Sequence, residues 1–283
     1  MHACAGPAAH LPKSLIHAKP VLLVRAHNNN GDAAALEALG LQSVIDPYLN
    51  IVASVDAAGA MRLISELSNL GEGDWVIATS ANSLKYWGEL VGAANPSPDF
   101  VTALAAAATR GVQFAAVGEA SARMYANFGI HRVFVPSKPY GLELAAELAA
   151  LGGPGSTAVM PCGNLAMPTV SAALGAAGWT MISEVVYETS TVADRPASAE
   201  GLANQGPGGE PREPAFTALF LRSPSAARAV VDHAGDTSVP VICGGTTTAA
   251  TARELGLNVA RVLDAPSSAA AAQAIFEVVV GEN

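Results

Sequence analysis

A turn rich in glycine and threonine separates an apolar run from an alanine-rich segment in the C-terminal part of the chain. The stretch 241–256 reads VICGGTTTAATARELG, so two glycines end the apolar run and three threonines follow. The N-terminus of a helix exposes backbone N–H groups that carry a partial positive charge, and glycine lets a ligand approach them closely. This pattern therefore predicts a site for an anion, although no lysine accompanies it.

The other residue types that commonly carry chemistry are scattered. Cys4, Cys162 and Cys243 are far apart, and neither they nor the six histidines form a metal-binding motif. A disulfide framework and a zinc site are therefore not expected.

The composition describes an acidic chain that can bury a large core. Of 283 residues, 51% are hydrophobic and 14% are charged, with a net charge of −9. A nucleic-acid partner is not expected, because binding one needs a basic surface. No run of 18 apolar residues predicts a membrane-spanning helix. Residues 1–19 lack the basic start and apolar core of a signal peptide, so we expect a loose tail and a cytoplasmic protein.

Short apolar runs rich in valine and isoleucine alternate with segments of helix length. This alternation predicts an α/β fold with parallel sheets flanked by helices on both faces. The segment 193–215 is rich in glycine, proline and glutamate and is expected to be flexible. The predicted strands are 20–25, 43–52, 74–80, 113–118, 132–136, 157–163, 180–190, 215–223, 239–244 and 260–264.

The sequence contains an internal repeat. The segment 118–130 (GEASARMYANFGI) parallels 245–257 (GTTTAATARELGL), and 79–84 (TSANSL) parallels 222–227 (RSPSAA). The repeat predicts two similar domains. Either each copy forms one domain, or the copies exchange parts through the strands 43–52 and 180–190, which are long enough to pass between domains.

The exchanged arrangement gives the predicted domain limits. Domain 1 is discontinuous and contains both ends of the chain, whereas domain 2 is its middle part, and two linkers join them. The limits are 1–48 plus 192–283 for domain 1, 54–184 for domain 2, and 49–53 and 185–191 for the linkers.

Five short motifs are spread along the chain: PCGNL (161–165), VVYET (185–189), VGEASA (117–122), SPSAARA (223–229) and GTTTAA (245–250). Together they resemble those of uroporphyrinogen-III synthases, in order and in spacing, from about residue 20 to residue 280. The resemblance implies two α/β domains joined by two strands, and it implies a lyase of porphyrin biosynthesis that uses neither a metal nor an organic cofactor.

The implied reaction cyclises hydroxymethylbilane to uroporphyrinogen III, with inversion of ring D and loss of water. The resemblance also implies a cytoplasmic monomer that contacts no nucleic acid and no membrane, with transient contact to the preceding pathway enzyme as a further partner. One alternative is a non-catalytic tetrapyrrole-binding or regulatory module on the same fold. A solute-binding protein with two α/β lobes is a second alternative, against which the absent signal peptide argues.

The implied substrate carries eight carboxylates, which several strand-to-helix turns could bind without lysine. Net charge opposes a polyanion only weakly, since salt screens it within about 8 Å. For each turn the alternative is plain helix capping, and for the arginine it is a structural salt bridge. The expected substrate-binding residues are Arg25, Thr79, Ser80, Asn82, Gly118, Ser121, Gly163, Asn164, Ser223, Pro224, Ser225, Gly245, Thr246, Thr247 and Thr248.

Tyr187 matches the tyrosine of the family on the second linker strand and is the expected catalytic group, because a phenol can protonate the departing hydroxide. The alternative is a tyrosine that packs between domains. Arg222 stands where the family usually has threonine or serine. It is either an added partner for a substrate carboxylate or a surface arginine. Relatives often carry lysine or arginine just after the turn at 163–164, where this chain has Ala166 and Met167.

Overall fold

The computed structural model describes residues 18–206, 209–264 and 267–281. The chain forms two compact units. Unit 1 consists of the described residues of Met1–Asn50 and Ser190–Asn283, and unit 2 consists of Ile51–Thr189. The predicted loose tail falls almost entirely on residues 1–17, which lie outside the described residues.

Strands and helices alternate along most of the chain. The strands are β1 (Val21–Leu23), β2 (Ser43–Ile45), β3 (Leu49–Ala53), β4 (Trp75–Ala78), β5 (Gln113–Ala116), β6 (Thr157–Gly163), β7 (Thr180–Thr191), β8 (Ala218–Leu221), β9 (Val241–Cys243) and β10 (Val259–Val262). The helices are α1 (Asn30–Glu37), α2 (Ala58–Asn69), α3 (Ala81–Ala94), α4 (Phe100–Thr109), α5 (Glu119–Asn127), α6 (Gly141–Leu151), α7 (Thr169–Ala176), α8 (Ala199–Leu202), α9 (Pro224–Ala234), α10 (Thr246–Glu254) and α11 (Ser268–Val280).

The strands form two five-stranded sheets. Sheet A has the order β10-β9-β8-β1-β2, and all its pairs are parallel. Sheet B has the order β3-β7-β6-β4-β5, with parallel pairing from β7 to β5. Hydrogen bonds from the Ser54 N–H to the Val186 carbonyl and from the Val192 N–H to the Tyr48 carbonyl show that β3 and β7 run antiparallel.

Alternating side chains bury both faces of each sheet. In and just after β1, Leu22 and Val24 pack into one apolar cluster, whereas Val21 and Leu23 pack into another cluster together with Leu36 of α1. The strand β4 divides its side chains between two clusters in the same way. Side chains of a strand point alternately to opposite faces, so a short run that is apolar throughout needs helices on both sides. The predicted fold class is confirmed.

The internal repeat is present as equivalent turns in the two units. Ser80 and Ser223 are both N-cap residues, with φ and ψ of −152° and 143° in one turn and −149° and 153° in the other. Gly118 and Gly245 precede α5 and α10 with φ and ψ of −174° and 176° and of 175° and 171°. The turns of the first copy lie in unit 2 and those of the second copy lie in unit 1. The segments 22–40 and 158–178 also parallel each other, but here the first copy lies in unit 1 and the second copy lies in unit 2. The copies have therefore exchanged parts, and neither unit is built from one copy alone.

The chain crosses between the units within β3 and within β7. The two predicted linkers fall on these strands, whereas the predicted domain limits themselves stay a prediction. Asp46, Pro47 and Tyr48 separate β2 from β3, as expected from the proline in the predicted strand 43–52.

Several segments contain structure that the sequence-based expectation did not include, or lack structure that it did. No extended strand forms at 132–136, where only a bridge joins Phe134 to Ala115. The helices α2 and α4 were not predicted. The segment 193–215 contains α8, whose Ala199 and Leu202 are fully buried in the core of unit 1 although the segment has few large apolar residues. Its flexibility stays a prediction.

Candidate functional site

In unit 2, the carboxyl edge of sheet B carries two helix N-termini. Thr79 and Ser80 follow β4, and the Ser80 hydroxyl accepts a hydrogen bond from the Asn82 N–H at 3.2 Å. Gly118 follows β5 and is the N-cap of α5, in which the Ser121 side chain is buried. The first N–H groups of a helix have no acceptor within the helix, so both turns offer donors at one edge of the sheet.

The carboxyl edge of sheet A repeats this arrangement in unit 1. The Ser223 hydroxyl accepts from the Ala226 N–H at 3.2 Å and lies 2.9 Å from the Ser225 hydroxyl, with Pro224 as the first helical residue of α9. The Ser223 hydroxyl does cap the helix, which was the alternative to binding, but capping leaves other N–H groups of the first turn without an acceptor in the helix.

At α10, the N-cap Gly245 makes no side-chain cap, and Thr246 and Thr247 are exposed. The side chain of Thr248 is buried, so its backbone N–H is the part of this residue that belongs to the exposed end of the helix. A φ of 175° is extended backbone that any residue adopts. A Cβ atom added at Gly245 meets nothing within 4 Å. The fold of unit 1 therefore does not need glycine here, and the open space leaves room for a ligand against the backbone.

Tyr187 lies on β7 at the carboxyl edge of sheet B. Its ring stacks on Tyr86 with 5.7 Å between ring centroids. Burial is the main cause that raises the pKa of the Tyr187 phenol above its ordinary value, while the nearby Ser80 side chain acts in the opposite direction. The phenol is therefore protonated at neutral pH and able to donate a hydrogen bond or a proton.

A β-bulge aims the Tyr187 side chain. The pairing of β6 with β7 shifts between Cys162 and Gly163, so that Gly163 lies opposite Tyr187. A Cβ atom added at Gly163 would lie 2.4 Å from the Cζ atom of the tyrosine ring, far inside contact distance. The absence of a side chain at Gly163 is therefore what allows the ring to occupy this place.

Replacing Gly163 with alanine is expected to displace the Tyr187 ring and to destabilise unit 2 by about 1–3 kcal/mol, the usual effect of overpacking. The measurement is urea unfolding of the variant. The same substitution in a Tyr187→Ala background should have little effect, since the opposing ring is gone. Equal destabilisation in both backgrounds would show that something other than this contact requires glycine.

The turn after β6 differs from its expected form. Gly163 and Asn164 were expected at the start of a helix, but α7 begins at Thr169. The Asn164 side chain instead accepts from the Thr189 N–H at 2.8 Å and donates to the Thr189 carbonyl at 3.2 Å, which extends the pairing with β7. The placement at a helix start was wrong because the chain first continues the sheet pairing by a side chain.

Two arginines share one carboxylate at the carboxyl ends of β1 and β8. Arg222 donates two parallel hydrogen bonds to Asp32, 3.0 Å from Nε to Oδ2 and 2.5 Å from Nη2 to Oδ1. Asp32 is 2% exposed and Arg222 is 15% exposed. Arg222 is therefore an interior ion-pair residue, and not the surface arginine of one prediction. Arg25 lies farther from the same carboxylate, 3.9 Å from Nη1 to Oδ2.

Sequence reasoning missed Asp32, Ser268 and Tyr86. The Ser268 hydroxyl donates to Asp32 at 2.6 Å, and the Tyr86 hydroxyl donates to the Ile51 carbonyl at 2.7 Å. The only signal in the sequence for this cluster was Asp32 in the first turn of a helix, and acidic residues are common at that place in any helix.

The two cysteines in the described part of the chain are not activated nucleophiles. Burial raises the pKa of Cys162, and it raises that of Cys243 to about 11, so neither is an activated thiolate. Among the described residues, no group of three histidine, cysteine or acidic side chains could hold a metal ion. None of the helices in the described part of the chain is both long and apolar enough to cross a membrane.

The fold and the carboxyl edges of the two sheets define a class of protein. It is an α/β protein of exchanged repeats, in which helix N-termini expose backbone N–H donors of the kind that suit anionic groups. The sequence matches the family model described as uroporphyrinogen-III synthase HemD over residues 31–273. The chain belongs to this family, and the resemblance of the motifs is confirmed.

Solved structures show the same fold. A mutant uroporphyrinogen III synthase from the extremely thermophilic bacterium Thermus thermophilus is 17% identical, with a TM-score of 0.59, covering 92% of this chain and 98% of that chain. The uroporphyrinogen-III synthetase of Helicobacter pylori is 15% identical, with a TM-score of 0.56, covering 92% and 97%. No curated protein is significantly similar in sequence.

Proposed function

We propose that this protein converts hydroxymethylbilane to uroporphyrinogen III, inverting ring D and releasing water. The observation that carries the proposal is the protonated, half-buried phenol of Tyr187 at a sheet edge lined by helix N-termini, in a chain of this family. Membership of the family supports a cyclising lyase of porphyrin biosynthesis, which we expect to act as a cytoplasmic monomer without a cofactor.

Binding rests on donors that carry no formal charge. The turns at Thr79–Ser80, Gly118, Ser223 and Gly245 each begin a helix at the carboxyl edge of a parallel sheet, where ligands of open α/β sheets bind. Their N–H groups suit carboxylates that are spread over a large ligand, whereas one basic pocket would suit a compact anion. These contacts give a physical reason why the turns lack lysine.

Tyr187 supplies the proton for the first chemical step. The C–O bond of the hydroxymethyl group breaks, and the phenol proton passes to the departing hydroxide, which leaves as water. The substituted carbon of ring D then attacks the carbon that lost the hydroxide, giving a spiro intermediate. Its rearrangement to the inverted isomer releases one proton from ring D, which restores the phenol. Because free bilane closes to the uninverted isomer, the protein must act chiefly by holding ring D in place.

The test supplies hydroxymethylbilane to the purified protein and separates the isomers by chromatography. Formation of isomer III is the expected result. Isomer I alone, formed at the rate of the protein-free control, would refute the activity. If the protein then still bound a tetrapyrrole, the result would favour a non-catalytic tetrapyrrole-binding module on this fold.

A methyl group placed at Gly245 should weaken substrate binding without unfolding unit 1. The Cβ atom of Gly245→Ala enters open space in front of the α10 N-terminus, where we place a substrate carboxylate. We expect KM to rise about tenfold, corresponding to the loss of roughly one charge-assisted hydrogen bond. The control is Gly175→Ala in α7, which also meets nothing within 4 Å but lies within a helix, and whose KM should not change.

A further inference from the structure

The carboxylate of Asp32 is completely engaged by its neighbours. Its two oxygens accept from Nε and Nη2 of Arg222, and one of them also accepts from the Ser268 hydroxyl at 2.6 Å. Arg222 stacks its guanidinium on the Phe220 ring, 4.7 Å from the ring centroid. These contacts, together with 2% exposure of Asp32, hold the pair in one geometry and leave the Nε–Nη2 edge of Arg222 unable to bind a ligand.

Arg25 lies beside this pair, and one edge of its guanidinium has no partner among the described residues. Its Nη1 donates to the Asn28 carbonyl at 3.4 Å and lies 3.9 Å from Asp32. Within the described ranges, Nε and Nη2 of Arg25 have no hydrogen-bond or ion-pair partner. The Asn29 side chain donates to the Arg25 carbonyl at 2.9 Å and so restrains its backbone. The Arg25 side chain is 36% exposed, so a ligand can reach this free edge.

The guanidinium of Arg25 is partly removed from water and lies beside that of Arg222. Burial, and next the positive charge of Arg222, lower the pKa of Arg25, while Asp32 acts in the opposite direction. A partly buried cation is stabilised by an anion that binds its free edge. The side-on edge of a guanidinium matches a carboxylate, which it binds through two parallel hydrogen bonds.

We propose that Arg25 binds one substrate carboxylate through its Nε–Nη2 edge, and that Asp32 is the positioning residue that keeps this edge free and correctly directed. Asp32 occupies the fork of Arg222 and attracts Nη1 of Arg25, while repulsion between the guanidinium groups directs the open edge of Arg25 away from the pair. The inference rests on the proposed function for the identity of the ligand. Its chemistry requires only a carboxylate on a tetrapyrrole.

The binding test uses uroporphyrin I, a fluorescent porphyrin with eight carboxylates, so it does not depend on turnover. Arg25→Gln should raise Kd about tenfold or more, as expected for a lost charged hydrogen bond. Arg25→Lys restores the charge without the fork and should recover only part of this loss. The matched control is Arg228→Gln, which removes the same charge from an exposed position on α9 of the same unit. An equal change of Kd in Arg228→Gln and Arg25→Gln would show a general effect of charge and overturn the proposal.

The positioning role is tested by a double-mutant cycle. Asp32→Asn should raise Kd for uroporphyrin I several-fold at a temperature where circular dichroism shows the variant folded. In an Arg25→Gln background the same substitution should cause no further loss, because Asp32 acts through Arg25. Equal losses in both backgrounds would overturn this role.

The two proposals fail separately. If the protein forms no isomer III but Arg25→Gln still weakens uroporphyrin I binding, the carboxylate site stands and the proposed activity does not. If isomer III forms and Kd is unchanged in Arg25→Gln, the activity stands and the Arg25 site is overturned.

Discussion

Replacing Arg222 with methionine is expected to lower the free energy of unfolding by roughly 3–5 kcal/mol, the usual effect of removing one partner of a buried ion pair. Asp32 is 2% exposed, and without Arg222 its carboxylate would keep, among the described residues, only the Ser268 hydroxyl at 2.6 Å and the more distant Arg25. Methionine retains much of the volume, so the loss reports the unpaired charge and not a cavity. Urea unfolding followed by circular dichroism measures the change.

Unit 2 offers a matched control with the same geometry at the surface. Arg62 binds Glu184 through a similar fork, at 2.8 Å from Nε and 3.0 Å from Nη2. Because Arg62 is 59% exposed, water replaces the lost partner, and Arg62→Met should lower the free energy of unfolding far less than Arg222→Met does. Equal losses for Arg62→Met and Arg222→Met would contradict the claim that burial decides the effect.

Replacing Tyr187 with phenylalanine is expected to lower the rate of isomer III formation by about 100-fold or more, the range of a general acid. The ring and its stack on Tyr86 remain, so the variant loses the hydroxyl alone. Because burial raises the pKa of the phenol above its ordinary value near 10, the wild-type acid stays protonated as pH rises through neutrality. The rate should therefore show no decline from this group below about pH 10.

Tyr86→Phe is the control for the other hydroxyl of the same stacked pair. Its hydroxyl bonds to the Ile51 carbonyl at 2.7 Å, so the variant should lose about 1 kcal/mol of stability. Its rate of isomer III formation should stay within a few-fold of the wild-type rate. An unchanged rate in Tyr187→Phe would refute the acid role of Tyr187 while leaving the proposed reaction intact.

The strand-to-helix turns are the part of the candidate site that could be predicted from the sequence. Ser80 and Ser223, and likewise Gly118 and Gly245, were aligned by the repeat, and each pair has nearly the same backbone angles. A cap and the glycine before a helix are local signals, so they survive in each copy. Their role in binding a substrate stays a prediction.

The sequence did not reveal which distant side chains pair. Asp32 and Arg222 are 190 positions apart, and the alternatives for Arg222 did not include a buried ion pair. The sequence likewise did not reveal a packing reason for glycine at position 163, which is the tyrosine ring opposite it on β7.

The sequence by itself determined the α/β class, the repeated turns and the family, because the alternation of apolar runs, the helix signals and the motifs are properties of short segments. Only the tertiary structure decided that the copies exchange parts between the units, that Arg222 belongs to the interior and that Arg25 keeps a free edge. These outcomes depend on sheet order, on strand register and on the burial of charges from distant segments. A bulge of one residue or a neighbouring arginine changes them without leaving a periodic pattern in the chain.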